Sequence, residues 1–366
     1  MQKNKRIPQS EPLFSRLDKN ALKNYVSKDA WFTENKVTKQ FEEKFAKFVK
    51  SKYAVTFPNG TLTLFAMLKC LHLPRNSEII VPSYTMVATA NSVVAADMKV
   101  KFSDIDRKNL CLCPKNLIKN ITKKTKVIIY VTLNGRTGHF NKIKDICKKR
   151  NIILLEDSAH SLGGYDSKRN HHGTKSFAAS FSFSTPKLFS TGQGGMVITN
   201  NKKYFLSLKR FKNFGRIKDG NDQYKDLGLN FKFTDLQATL GISQMSGIDA
   251  KISKKKKIFN TYYKNLNKIK DIEFKNFSKN ECPWFIDVYL NNPSKLKKYL
   301  EKFNIQSRLV YPSLNTQKFF KHKSNCPISE KYCSRGLWLP SSLALKNSEI
   351  IMICKKIKNF FLTNDH

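Results

Sequence analysis

Short runs of apolar residues recur along the chain, separated by longer stretches in which apolar positions follow helical spacing. Residues 127–133 and 152–155 are apolar at nearly every position and are rich in Val, Ile and Leu. Runs without alternation are typical of strands that are buried on both faces of a parallel sheet. The pattern therefore predicts an α/β fold in which helices cover both faces of a mostly parallel sheet.

Seven extended segments follow this pattern, with helices predicted between them. Beyond about residue 245 the chain becomes rich in lysine and aromatic residues, with turns at Pro312 and Pro340 and no comparable succession of strands. We therefore predict a large domain over residues 1–245, with an N-terminal arm of about residues 1–30, and a small domain over residues 246–366. The predicted strands cover residues 52–57, 78–82, 100–105, 127–133, 152–157, 178–184 and 195–199.

The chain shows no sign of a membrane or metal protein. Its longest apolar runs are far shorter than the roughly 18 to 20 residues that cross a bilayer, and no apolar stretch follows the basic N-terminus as in a signal peptide. Among the eight cysteines only Cys111 and Cys113 are close, without the second pair of a zinc site. We expect a cytoplasmic protein with reduced thiols, no metal and no membrane span.

The charge raises the question of a nucleic-acid partner. The 366 residues include 67 Lys and Arg against 27 Asp and Glu, a formal net charge of +40, which is also the footprint of a nucleic-acid binder. The lysines are spread over the whole chain, however, and the densest run, residues 254–257, is predicted to lie on a solvated helix face. No RNP, zinc-finger or basic-zipper pattern accompanies it. We attribute the charge to compositional bias and expect no nucleic-acid partner.

Residues 58–61, Pro-Asn-Gly-Thr, follow the first predicted strand and open a helix. Gly60 allows a tight turn, and the free N–H groups of the first helical turn together with the Thr61 hydroxyl form an anion site suited to a phosphate. An ordinary helix cap is the alternative.

Glu156 and Asp157 end the predicted strand at residues 152–157. Carboxylates that leave a buried strand need partners, and a protonated pyridine nitrogen near Asp157 would stabilise both charges. The alternative is a surface aspartate that caps the next turn. Because ligands of open α/β sheets bind at the carboxyl ends of the strands, we expect this segment and residues 58–61 to converge.

Residues 181–195 read Phe-Ser-Phe-Ser-Thr-Pro-Lys-Leu-Phe-Ser-Thr-Gly-Gln-Gly-Gly. Lys187 therefore follows a predicted buried strand, among aromatic and small hydroxyl residues and shortly before three glycines. A lysine held among aromatics is partly desolvated, which favours the neutral amine that forms a Schiff base. In so basic a chain the alternative is a solvated lysine.

This segment resembles the cofactor-lysine segment of the DegT/DnrJ/EryC1/StrS family of nucleotide-sugar aminotransferases, which depend on pyridoxal 5′-phosphate. The resemblance continues in the family's order over almost the whole chain and implies fold type I, like aspartate aminotransferase, with a mostly parallel central sheet and a smaller C-terminal α+β domain. The other matching segments are residues 30–33, 41–46, 81–85, 88–91, 213–216, 228–231, 235–238 and 339–342.

The resemblance also implies roles for individual residues. Lys187 is similar to the lysine that binds the cofactor covalently, and Asp157 to the partner of the pyridine nitrogen. Asn230 is similar to an asparagine that reaches the phosphate from the neighbouring subunit, which implies a homodimer with shared active sites. The implied phosphate contacts are Gly60, Thr61 and Ser182.

Several positions depart from the family's pattern. His160 stands where Gln usually lies beside the phenolic oxygen of the cofactor, so its protonation state matters. Met86 replaces the aromatic residue that commonly stacks on the pyridine ring, although a thioether can also cover a ring. Phe214 replaces a frequent His and Lys232 a frequent Arg, which changes the expected substrate contacts.

The substrate side is less specific. The resemblance places Arg308 and Tyr311 near the sugar nucleotide, where the forked donors of an arginine suit a diphosphate, although Arg308 is nearly as compatible with a surface role. Earlier in the chain, Thr234 and Gln237 fit a helix capping box without any ligand.

The expected activity is amine transfer from L-glutamate to a nucleotide-diphosphate 4-keto-6-deoxyhexose, giving the 4-amino-4,6-dideoxy sugar for amino sugar and polysaccharide biosynthesis. The likeness of residues 213–215 and 339–342 to perosamine- and viosamine-type synthases suggests carbon 4. A 3-keto sugar aminotransferase and a non-catalytic binding or regulatory protein on the same fold are the alternatives. Deoxygenating relatives replace the cofactor lysine with His, and Lys187 argues against that chemistry.

Overall fold

The computed structural model describes residues 6–28, 30–218, 220–320 and 324–363. Seven strands form one sheet in the order β1-β7-β6-β5-β4-β2-β3. β7 runs antiparallel to its neighbours β1 and β6, and the other neighbouring strands are parallel, which confirms the mostly parallel sheet. Its strands are β1 (Tyr53–Phe57), β2 (Glu78–Pro82), β3 (Lys99–Ser103), β4 (Thr125–Val131), β5 (Ile153–Asp157), β6 (Ala178–Ser182) and β7 (Gly195–Thr199).

Two predicted strands were displaced by one or two residues. β3 begins at Lys99 and β4 at Thr125, both polar residues that precede the predicted apolar segments. Both pair with Glu78 at the start of β2. The pairing with β2, and not the apolar content of β3 and β4 themselves, therefore decides where these two strands begin.

Helices connect the strands and bury both faces of the sheet. Along β4, Val127 and Ile129 pack into the core on one face, while Ile128 and Tyr130 pack into a second core on the other. Thr234 and Gln237 form the predicted capping box. The helices of this part are α1 (Arg16–Val26), α2 (Lys36–Val49), α3 (Gly60–Lys69), α4 (Ala88–Ala95), α5 (Pro114–Asn120), α6 (Phe140–Lys149), α7 (Lys202–Lys212) and α8 (Asp235–Ser246).

The C-terminal part, residues 248–363, builds a second sheet that is antiparallel, in the order β10-β11-β9-β8. Its strands have only two or four residues, too short to form the pattern seen before residue 245. They are β8 (Glu273–Phe274), β9 (Ile286–Tyr289), β10 (Arg308–Leu309) and β11 (Gly336–Leu339), with helices α9 (Ile248–Leu266), α10 (Pro293–Glu301), α11 (Pro327–Arg335) and α12 (Asn347–Thr363).

The start of the N-terminal arm, before α1, joins this second part. The backbone of Ile7 forms hydrogen bonds with Asn304 and Gln306, and the Gln9 carbonyl accepts a bond from the N–H of Ser341. A mixed α/β fold with a smaller C-terminal α+β part agrees with the prediction, and we propose that the two parts divide near residue 247.

The expectation of a solvated lysine run was wrong for Lys255. Residues 254–257 lie in α9, and four consecutive residues span a whole turn of a helix, so one of them faces the core. Lys255 is 3% exposed, and its Nζ donates to the carbonyls of Trp284, 2.8 Å away, and of Ser341.

All eight cysteines are free thiols. Within the described ranges no helix has the length and apolar character to span a membrane. The same residues contain no group of three or more His, Cys, Asp or Glu side chains that could hold a metal ion.

A buried ion pair joins the two sheets. Arg136, after β4, donates from its two terminal nitrogens to the two carboxylate oxygens of Asp287 in β9, at 2.7 and 2.8 Å. Both side chains are almost wholly buried, 1% and 2% exposed. The guanidinium also donates to the Lys275 carbonyl at 3.1 Å and lies 4.2 Å from the Phe277 ring centroid. Because removing one partner leaves the other charge buried and unpaired, this pair fixes the second sheet against the first.

We expect Arg136→Met to lower the free energy of unfolding by about 3 to 5 kcal/mol, because the Asp287 carboxylate loses its buried partner. Urea unfolding followed by circular dichroism measures the change. Lys297→Met is the control: Lys297 pairs with Glu301 one turn away on an exposed helix face, where such a pair contributes about 0.5 kcal/mol or less. Equal effects of the two substitutions would contradict the role of the buried pair.

Candidate active site

An open cavity of about 760 Å³ lies at the carboxyl ends of strands in the first sheet, against the C-terminal part. Ligands of open α/β sheets bind at this edge. The cavity brings together most of the residues singled out in the sequence, from segments far apart along the chain. Those that line it are Gly60, Thr61, Met86, Asp157, His160, Ser182, Lys187, Arg308 and Tyr311.

The start of α3 forms the end of the cavity suited to an anion. Asn59 caps the helix by accepting a hydrogen bond from the N–H of Leu62 at 3.0 Å. A Cβ atom on residue 60 would lie 2.8 Å from the Cβ of Ser182, so only glycine lets the helix start approach β6 so closely. The Thr61 and Ser182 side chains line the same corner, and a helix N-terminus with hydroxyls beside it fits a phosphate. Asn59 can therefore cap the helix while other N–H groups of the first turn remain available to an anion.

Asp157 ends β5 and is 5% exposed. Its two carboxylate oxygens accept hydrogen bonds from the Thr89 hydroxyl at 2.7 Å and from the N–H of Ala159 at 3.1 Å. Burial raises the pKa of this carboxyl, and the Thr89 bond, the Ala159 bond and Lys187 act against that rise. Glu156 accepts a bond from Ser158 and is absent from the residues that line the cavity. A buried carboxylate facing the cavity fits a cationic ring nitrogen.

Lys187 lies in the turn after β6, where its N–H donates to the Ser184 carbonyl at 3.0 Å. Its Nζ is 3.9 Å from the centroid of the Trp284 ring. Burial lowers the pKa of Lys187 to about 7, although the Asp157 carboxylate acts in the opposite direction. Near neutral pH a large fraction of this amine is therefore neutral and nucleophilic, as attack on a carbonyl carbon requires.

His160 is buried beside Lys187. Its Nδ1 lies 3.3 Å from the backbone N–H of Asn134; because that group can only donate, we assign the proton of the neutral ring to Nε2. Burial is the main reason why the pKa of His160 lies well below its usual value, and the positive charge of the Lys187 ammonium lowers it further. The ring therefore serves as a neutral Nε2–H donor, which answers the question raised by its replacement of Gln.

Arg308 and Met86 line the more open side of the cavity. The guanidinium carbon of Arg308 lies 5.9 Å from the Tyr311 ring centroid and 5.6 Å from that of Trp338, while the residue itself is exposed. Met86 is 40% exposed. Arg308 is thus on the surface and on the cavity wall at once, so the two roles considered for it do not exclude each other.

Phe214 and Asn230 lie outside this cavity. The backbones of Asn213 and Asn230 form a β-bridge, and Phe214 and Asn230 are both exposed. Large apolar side chains nearby in the sequence are also exposed, namely Ile217, Tyr224, Leu227 and Leu229.

The structure adds cavity residues that sequence reasoning missed. Trp284 and Phe285 come from the C-terminal part, and Gln9 and Ser10 from the N-terminal arm. No spacing or motif marked these four, since only the packing of the second sheet and the arm brings them here. Thr89, the partner of Asp157, stood in a segment matched to the family but without an assigned role.

Comparison with known proteins gives whole-chain matches. The sequence profile described as the DegT/DnrJ/EryC1/StrS aminotransferase family matches residues 16–358. The chain is 28% identical to GDP-perosamine synthase of Escherichia coli O157:H7, over 98% of this chain and 99% of that protein.

Two solved structures show the same fold. One is PseC of Helicobacter pylori, an aminotransferase involved in the biosynthesis of pseudoaminic acid, with TM-score 0.93 and 22% identity over 98% of this chain and 100% of that one. The other is E. coli GDP-4-keto-6-deoxy-D-mannose-3-dehydratase with bound hydrated PLP, with TM-score 0.87 and 22% identity over 96% and 98%.

If His160 donates to the cofactor, as the sequence predicts, His160→Leu should weaken binding of pyridoxal 5′-phosphate about tenfold or more, because a hydrogen bond to a charged oxygen would be lost. His160→Gln, which keeps a donor, should stay much closer to the wild-type affinity. Equilibrium dialysis of the cofactor-free protein gives both dissociation constants. His139→Leu is the control, since His139 does not line the cavity. Equal losses for His160→Leu and His160→Gln would refute the donor role.

Proposed function

We propose that this chain, which belongs to the DegT/DnrJ/EryC1/StrS aminotransferase family, transfers an amino group from L-glutamate to a nucleotide-linked 4-keto-6-deoxyhexose. It is a sugar-nucleotide aminotransferase that depends on pyridoxal 5′-phosphate. One observation carries the proposal: the Lys187 amine, with its pKa near 7, lies in the same cavity as the Asp157 carboxylate and an anion-binding helix start.

The residues of the cavity fit this cofactor. When bound, pyridoxal phosphate supplies an electron sink for the electron pair of a broken C–H bond. Asp157 would hold a proton on the ring nitrogen, His160 would donate Nε2–H to the phenolic oxygen, and Lys187 would bind the cofactor covalently. The phosphate would lie against Gly60, Thr61 and Ser182.

Lys187 has a second task once its amine is free. With a pKa near 7, Nζ can both accept and release a proton near neutral pH, as general acid–base catalysis requires. Asp157, held by Thr89 and Ala159, stays close enough to favour the ammonium form after the proton has been taken up. Both residues are present with their supporting contacts, which speaks against a purely binding or regulatory protein.

The proposed substrate rests on the open side of the cavity. The exposed Arg308 guanidinium presents several N–H donors, which match the oxygens of a diphosphate. Carbon 4 is proposed from the likeness to GDP-perosamine synthase and to synthases of this type at residues 213–215 and 339–342. The deoxygenating relatives have His where this chain has Lys187, so Lys187 favours amine transfer over deoxygenation.

Purified protein incubated with glutamate and a panel of GDP-, dTDP- and UDP-4-keto-6-deoxy sugars should aminate at least one of them, with nitrogen at carbon 4 in the NMR spectrum. Lys187→Ala should form no product, because the amine that binds the cofactor and carries the proton is gone. Nitrogen at carbon 3 would establish the 3-keto alternative instead. A product that has lost an oxygen and gained no nitrogen would establish deoxygenation.

We also propose a homodimer in which Asn230 completes the site of the neighbouring subunit. Asn230 is exposed and lies outside the cavity of its own chain, while Tyr224, Leu227 and Leu229 expose apolar surface beside it. Several large apolar side chains exposed within one short segment are typical of an interaction site. A C2 dimer would exchange such segments between two equivalent sites.

Provided that Asn230→Ala alone is impaired, mixing it with Lys187→Ala subunits should restore activity, because one site of each mixed dimer combines an intact Lys187 with an intact Asn230. The comparison is a mixture of Lys187→Ala with Asp157→Ala, whose two residues line the cavity of one chain, so that no mixed dimer has a complete site. Equal activities of the two mixtures, after exchange is verified by native mass spectrometry, would rule out the shared site.

A further inference from the structure

Trp284 lies over the amine on which the proposed reaction depends. It belongs to the C-terminal part, two residues before β9, yet its ring centroid is 3.9 Å from Lys187 Nζ. The same ring stacks on the His160 imidazole, with the two centroids 3.9 Å apart. One side chain from the second part of the molecule therefore covers two polar groups of the cavity.

Three hydrogen bonds hold Trp284 in this place. Its indole Nε1–H donates at 2.8 Å to the carbonyl of Pro186, the residue directly before Lys187. Its backbone N–H donates to the Asn134 carbonyl at 3.3 Å, and its own carbonyl accepts a bond of 2.8 Å from Lys255 Nζ. The residue is 5% exposed. The indole and the turn that carries the lysine are thus linked directly.

An indole ring over an amine has two opposing effects. Its face attracts the ammonium form, whereas the water it excludes would have stabilised that form. Burial outweighs the Asp157 carboxylate and lowers the pKa of Lys187 to about 7, and the indole face 3.9 Å from Nζ is part of what buries the amine. Lys187 already lines the open cavity of about 760 Å³, so removal of the indole would expose Nζ to solvent on the covered side as well.

We propose that Trp284 is a positioning residue for Lys187. Its indole shields the covered side of the amine from water, and its hydrogen bond to the Pro186 carbonyl fixes the turn that carries the lysine. The inference rests on the proposed function, in which this amine binds the cofactor and carries protons. Trp284 acts through Lys187, because its indole has no proton to exchange near neutral pH. The titratable or charged groups that share the cavity, or the small void behind it, with Lys187 are Asp157, His160, Tyr311, Arg308, Lys255 and Glu11.

The test measures Lys187 itself. In the full-length protein freed of cofactor, only the neutral amine reacts with a trace of acetic anhydride, so the pH dependence of acetylation at Lys187, followed by peptide mass spectrometry, gives its pKa. Trp284→Ala should raise that pKa by about one unit or more as water enters. Trp284→Phe, which keeps an aromatic cover, should shift it less.

The holoenzyme gives a second measurement. Hydroxylamine should remove the cofactor severalfold faster from Trp284→Ala, and also faster from Trp284→Phe, which loses the bond to the Pro186 carbonyl. Phe102→Ala is the matched control: Phe102 is at least as buried as Trp284, packs against Phe320 and does not line the cavity of Lys187. It removes a buried aromatic side chain without uncovering Lys187, so both Lys187 measurements should stay at the wild-type values.

An unchanged or lowered Lys187 pKa in Trp284→Ala, or an equal rise in Phe102→Ala, overturns the proposal. If Trp284→Ala does not fold, Trp284→Phe serves as the test. Removal of the cofactor from Trp284→Phe by hydroxylamine at the wild-type rate would then overturn the proposal. These outcomes are distinct from failure of the proposed function. A wild-type protein that aminates no sugar refutes that function and leaves the acetylation profiles valid, whereas an unchanged profile in an active enzyme removes only the role of Trp284.

Discussion

The Lys187 amine can act as a nucleophile near neutral pH only because the protein withholds water from it. Burial is the largest influence on its pKa, and the Asp157 carboxylate only partly offsets it. A stronger ionic contact would keep the amine charged, and full exposure would return its pKa towards that of an ordinary lysine. The cavity therefore needs a carboxylate that faces it but is already engaged, as Asp157 is by Thr89 and Ala159.

Withholding water from Lys187 depends in turn on how the two sheets are joined. The indole that covers Nζ belongs to the C-terminal part, which the Arg136–Asp287 pair fixes against the first sheet. The backbone carbonyl of Asn134, two residues before Arg136, accepts a hydrogen bond from the backbone N–H of Trp284. The Asn134 side-chain amide donates to the carbonyl of Phe285 and accepts from its N–H. The segment after β4 thus orients the covering residue and anchors its sheet. Loss of the Asn134 contacts or of the Arg136–Asp287 pair would therefore displace Trp284 and expose the Lys187 amine to water.

The sequence predicted the parts of this arrangement that local pattern determines. The apolar runs gave the strands of the first sheet, and the polar residues at their carboxyl ends gave most of the cavity, because parallel strands deliver these ends to one edge. Trp284, Gln9 and Ser10 could not be found in this way, since they arrive through contacts between segments distant in the chain. The two-residue strands β8 and β10 were missed because such short elements carry no periodicity.

Buried lysines show why composition alone says little about chemistry in so basic a chain. Burial lowers the pKa of Lys212, but Glu42 and Glu34, both 3.0 Å from its Nζ, outweigh it and raise the pKa above the usual value. Lys255 has two backbone carbonyls as acceptors, and burial lowers its pKa to about 8. Lys187 faces an open cavity beneath an indole, and its pKa is near 7. Lys212 and Lys255 are almost wholly buried, whereas Lys187 is only partly buried and faces the cavity. The partners of each amine and its access to the cavity therefore distinguish a structural ion pair, a loop support and a reactive amine.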